Sequence, residues 1–140
     1  MVTNTPDQLF THIDLISIIV PDQDEALEWF TETLDFELRQ DNPMPEGGRW
    51  VMIGVPGQEN LNVVLQPPEW GPGGDDPEDR AALIGTDMLT MHTNDIESTV
   101  ATLRERGVNI TSEPAEVPWG TYALFEDPFG NTHQVIEPPA

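Results

Sequence analysis

Residues 126–138, EDPFGNTHQVIEP, decide the fold. Pro128 directly after Asp127 suits the second position of a type I turn, and Gly130 can take the left-handed conformation that closes a bulged hairpin. The runs TYALFED (121–127) and THQVIEP (132–138) on either side then read as paired strands. The second run sets His133 and Gln134 side by side inside an apolar stretch, so they face opposite sides of the sheet. Whether either of them is chemistry or packing is the question the stretch raises.

Upstream, MLTMHTNDIESTVATLRERGVNI (88–110) predicts a strand, a helix and a short strand. Ile96, Val100 and Leu103 have helical spacing, Asp95 is a good N-cap, and Gly107 supplies the stop. The same order occurs earlier, in IDLISIIVPDQDEALEWFTETLDFEL (13–38). There Asp22 and Glu25 have capping-box spacing, and Ala26, Leu27, Phe30 and Leu34 mark the helix. In both segments an Asp follows a β-branched residue by two: Val20 then Asp22, Thr93 then Asp95. RWVMIGVP and NLNVVLQPP, joined by GQE, complete the first half as strands. The chain therefore reads as βαβββ twice, with an offset of about 73 residues.

This predicts one α+β domain over residues 1–140: module one at about 10–67, a linker at 68–86, and module two at about 87–138. The stretch PPEWGPGGDDPEDRAALIGTD (67–87) is long for a connection inside a compact domain, which makes it a functional flap or a flexible linker. At 140 residues the chain can bury about two-thirds of its unfolded surface.

Asp and Glu total 26 against five basic residues, all Arg, for a net charge of −21. The acids are spread along the chain, as a solvated coat would be in molar salt, where the Debye length falls to about 3 Å. A halophilic host is the expectation, and nucleic acid is disfavoured as a partner for want of a basic face. No cysteine is present, so disulfides and thiolate chemistry are excluded. No apolar run approaches the roughly 20 residues of a membrane span, and the N-terminus lacks signal-peptide character, so a cytoplasmic protein is expected.

The repeated βαβββ module, the V-x-D-like junctions and EDPFGN before the last strand together resemble the vicinal oxygen chelate superfamily. That group includes glyoxalase I, extradiol dioxygenases, fosfomycin resistance enzymes and bleomycin-resistance binding proteins. The resemblance covers about residues 10–138 and implies curved, cup-like mixed sheets with helices on the outer face. It also implies a ligand site enclosed by two half-cups, paired within a chain or across a homodimer.

Members that use a metal hold it at four strand positions, which here are Leu15, Val64, Met88 and Gln134. Divalent ions want imidazole or carboxylate, so this set predicts that the usual metal site is absent. Strand phase puts Met88, Thr90 and His92 on one face, with His92 at the rim, and leaves His133 facing the helix side. Phase also separates His12 from Leu15, so the three histidines are not expected to converge.

The candidate ligand-binding set is Leu15, Ser17, Arg49, Trp50, Val64, Met88, Thr90, His92, Trp119 and Gln134, with no metal ligand and no cofactor. Trp70 is a further candidate wall, Trp29 reads as helix packing, and Glu126 and Glu137 read as acidic coat. A metal-free, homodimeric small-molecule binder is the first expectation. The alternatives are a lyase, isomerase or dioxygenase with a non-standard divalent metal site, an acid–base enzyme using His92, and a subunit that binds only a partner.

Overall fold

The computed structural model describes residues 8–45, 47–70 and 76–140. The apolar and helical spacing of the first half produces β1 (Leu15–Ile19), α1 (Gln23–Glu32), β2 (Glu37–Pro43), β3 (Arg49–Gly54) and β4 (Asn62–Gln66). A 3₁₀ turn, Pro68–Trp70, and the short α2 (Pro77–Ala81) occupy the connection. The second half repeats the pattern as β5 (Thr90–His92), α3 (Ile96–Glu105), β6 (Asn109–Val117), β7 (Gly120–Glu126) and β8 (Thr132–Glu137).

The caps are those that the spacing predicts. The Asp22 carboxylate accepts from Glu25 N at 2.9 Å, and Asp95 accepts from Ser98 N at 3.1 Å. Glu137 departs from its reading as coat: its Oε1 accepts the Ile96 amide at 2.9 Å and ties the last strand to the start of α3. Gly107 has φ +84°, as a helix stop requires.

Each module is a four-stranded mixed sheet, ordered β1-β4-β3-β2 and β5-β8-β7-β6, with β1 parallel to β4 and β5 parallel to β8. The edge strands β2 and β6 run well past the FEL and VNI that the sequence marks. Both continue across register shifts and contain a proline, which an edge strand tolerates, so neither shows clean alternation. β1 starts only at Leu15, which leaves His12 outside the sheet.

Helix α1 buries Ala26 and Phe30 against Ile18, Val51, Ile53, Val63 and Leu65, and α3 buries Ile96, Val100 and Leu103 against Ala123, Phe125 and Val135. Side chains of this kind contribute about 1.5–3 kcal/mol each on burial. Trp29, Leu34 and Met91 pack against both clusters, so the modules share one apolar seam.

The EDPFGN turn fastens that seam. Asp127 Oδ1 accepts the Phe129 and Asn131 amides at 2.9 and 3.0 Å. Its Oδ2 takes Asn131 Nδ2 and His133 Nε2, both at 2.8 Å. His133 Nδ1 accepts the Leu89 amide at 3.0 Å, which places the ring proton on Nε2, facing Asp127. Asn131 Oδ1 accepts the Asp87 amide at 2.9 Å, and Asp87 Oδ2 accepts the Ile19 amide of β1 at 3.0 Å. A relay of hydrogen bonds thus runs from the hairpin of module two to the edge of module one. Gly85, at φ +82°, lies so close that a Cβ there would meet the Phe129 carbonyl oxygen at 3.1 Å.

Candidate functional site

Register assigns each strand residue to a face. In module one the face turned away from α1 carries a cross-strand row of Ser17, Val64, Met52 and Gln40. In module two the corresponding row is Thr90, Gln134, Leu124 and Ser112. Ser17 and Thr90 hold equivalent places in the repeat, and Gln134 Nε2 donates to Thr90 Oγ1 at 3.3 Å. Leu15 shares the Ser17 face, and His92 pairs beside Ile136. Val64 is buried, Leu15 is half-buried, and Ser17, Met88, Thr90 and His92 are exposed.

Three predicted residues stand apart. Arg49 lies on the helix side, where it pairs with Asp24 at 2.8 Å and Asp41 at 2.9 Å. Trp119 sits at the β6–β7 turn and is 63% exposed. Trp50 is on the open face, but it stacks on Trp70, with centroids 6.5 Å apart and planes 23° apart, so the 3₁₀ turn covers it. His133 is fully buried, and Trp29 packs edge-on to Phe30 as a helix-packing residue should.

Met88, Thr90 and His92 come together elsewhere, along a cleft of about 780 Å³ between the modules. Its other walls are Ile16, Leu34, Phe36, Gly54, Val55, Leu61 and Val63 from module one, with Leu89 and Met91 behind. Sequence reading missed these module-one residues. Their apolar spacing marks core, and nothing in it shows that a cleft opens beside them. The cleft has the size of ordinary small-ligand sites, which run from about 300 to 1,000 Å³ and are mainly apolar.

The electrostatics centre on the seam rather than on the cleft. Burial pushes the Asp127 carboxyl up, but the hydrogen bonds from His133, from the Asn131 side chain and from the Asn131 backbone outweigh it and hold the group below its ordinary value. Among the described residues nothing hydrogen-bonds His92, so no group orients it as a base. No three His, Asp or Glu side chains among the described residues form a metal-binding group.

The sequence profile of the Glyoxalase/Bleomycin resistance protein/Dioxygenase superfamily matches residues 12–135. The chain belongs to that superfamily. Several solved members share its fold and about a third of its residues. TnmS3, an antibiotic binding protein from Streptomyces sp. CB03234, is 32% identical, with 94% of this chain and 98% of that one covered and a TM-score of 0.77. A superfamily member from Sphaerobacter thermophilus is also 32% identical, covering 92% and 98%, with a TM-score of 0.78. Among sequences, YurT of Bacillus subtilis is 32% identical over 89% of this chain and 98% of its own.

Leu15, Val64, Met88 and Gln134 do not fit the divalent ion that metal-using members of the superfamily hold. Two of the four are hydrocarbon, one is a thioether, and the last is a neutral amide already near Thr90.

Proposed function

We propose that the protein binds a small, largely apolar or aromatic molecule in the cleft between its modules, without a metal. The cleft itself carries the reading: about 780 Å³, walled by Leu34, Phe36, Val63, Leu89 and Met91, with only Thr90 and His92 offering polar contacts on the β5 side. Asp35 lies among the lining residues of the opposite wall, where its carboxylate pairs with Arg106 at 3.0 Å. Similarity to an antibiotic binding protein supports the same reading. The exposed, unoriented His92 gives an acid–base reaction little support. The acidic, lysine-free surface supports a protein of a salt-rich cytoplasm.

The test uses 1-N-phenylnaphthylamine, a neutral aromatic whose fluorescence rises in apolar sites, with protein kept in molar KCl and EDTA. Saturable binding is expected. Met88→Glu, which puts a charge at an exposed cleft position, should weaken it about tenfold, equal to about 1.4 kcal/mol. Absence of saturable binding would refute the reading.

A further inference from the structure

Strand β2 carries one residue more than its ladder with β3 can pair. The register passes from Leu38 opposite Ile53 to Gln40 opposite Met52, so Arg39 is the extra residue of a bulge. Its side chain lies over Gly54, the last residue of β3, where a Cβ would overlap the guanidinium itself. All five guanidinium N–H groups find an acceptor there. Nε donates to the Glu37 carboxylate at 3.1 Å. Nη1 donates to Leu61 O at 3.0 Å and to Asn62 Oδ1 at 2.8 Å, and Nη2 donates to Val55 O at 2.9 Å and to Gln58 O at 2.5 Å. The side chain is left only 12% exposed.

Three of these acceptors are backbone carbonyls of residues 55–61, the segment that joins β3 to β4. Residues 55–60 are all exposed, so no buried apolar side chain pins them. Pro56 and Gly57, the latter at φ +90°, make a turn that the Gln58 amide closes on Val55 O at 3.0 Å. That bond holds only the first half of the segment. The guanidinium ties the turn to Leu61 and Asn62 at the far end. Val55, Pro56, Gln58 and Leu61 of this segment line the cleft, with Gly54 just before them.

We infer that Arg39 is a positioning residue for the cleft, holding the 55–61 wall in the shape that a ligand meets. The inference rests on the cleft reading, and Arg39 acts through the wall, since it is not itself among the lining residues. Lysine cannot replace it, because an ammonium has three donors and no planar fork. Without the clamp the segment samples other shapes, and affinity falls in proportion to the molecules that keep the binding shape.

The test is made in molar KCl. Backbone order parameters for the amides of residues 55–61 should lie near the rigid value of about 0.85 in the unaltered protein and fall below about 0.6 in Arg39→Lys. Phenylnaphthylamine should bind Arg39→Lys about tenfold more weakly, as it would if about one molecule in ten kept the binding shape, with folding checked by circular dichroism. Gly54→Ala, whose methyl pushes the guanidinium off its acceptors, should weaken binding similarly and add nothing further in the Arg39→Lys background. If Arg39→Lys does not fold, the affinity of Gly54→Ala decides. Unchanged order parameters in Arg39→Lys, losses that simply add, or a lower unfolding midpoint with unchanged affinity would overturn the inference. Equal affinity in the unaltered protein and Arg39→Lys removes this inference alone, whereas no binding by the unaltered protein removes the cleft reading and this inference with it.

Discussion

His133 and Gln134 are neighbours in sequence with unrelated fates, and the pleat separates them. Phase alone predicts that His133 faces the helices. What it does not reveal is that Asp127, six residues back across a turn, and the Leu89 amide both meet the ring. That pairing is set by the hairpin and by the segment that leads into β5, neither of which leaves a periodic signal. Replacing His133 by Ala strands a buried carboxylate and a buried amide. The expected cost is about 3–5 kcal/mol, measured from urea unfolding in molar KCl. The pH dependence has a definite sign. Asp127 is held below its ordinary value, so its contribution is present above the unfolded pKa of about 3.9 and is lost as pH falls through the lower folded value. Asp127→Asn should be less stable at neutral pH and lose less on acidification from about pH 5 to about pH 3. An equal acid loss in both proteins would show that other carboxylates carry it.

At the scale of elements, the helices and their starts were the most legible part of the sequence. Capping carboxylates and apolar spacing are local, so Asp22, Asp95 and the Phe30 and Val100 faces fall where they should. Edge strands β2 and β6 were legible only at their first residues, because bulges and solvent on one side erase alternation. The α3 start carries a partner that spacing could not supply, Glu137 from the far end of the chain. Asp95→Ala should cost about 1 kcal/mol, as a lost N-cap does. Glu137→Gln keeps an acceptor and should cost less than Glu137→Ala in the same urea titration. Equal costs for the two Glu137 variants would mean that the hydrogen bond to Ile96 contributes nothing.

For the whole molecule, the repeat and the turn sufficed to read two βαβββ modules, but the cleft between them was invisible. Its walls come from both modules, Leu34, Phe36 and Val63 from one and Leu89 and Met91 from the other, a combination that no single segment encodes. Arg49 shows the same limit from the other side: next to Trp50 in sequence, it is turned to the helix face by one residue of pleat. The net charge of −21 belongs to this scale too. Screening lengths of about 10 Å in 0.1 M salt and about 3 Å in 1 M predict a melting temperature several degrees higher in molar KCl than in dilute buffer. A flat response would contradict adaptation to salt.

The most direct test of metal-free binding compares phenylnaphthylamine affinity in chelator-treated protein with that after exposure to Mn²⁺, Fe²⁺, Ni²⁺ and Zn²⁺ and desalting, with bound metal measured on the same samples. Equal affinity and no stoichiometric ion are predicted. A retained ion at one per chain, or binding seen only in the metal-exposed protein, would contradict the account.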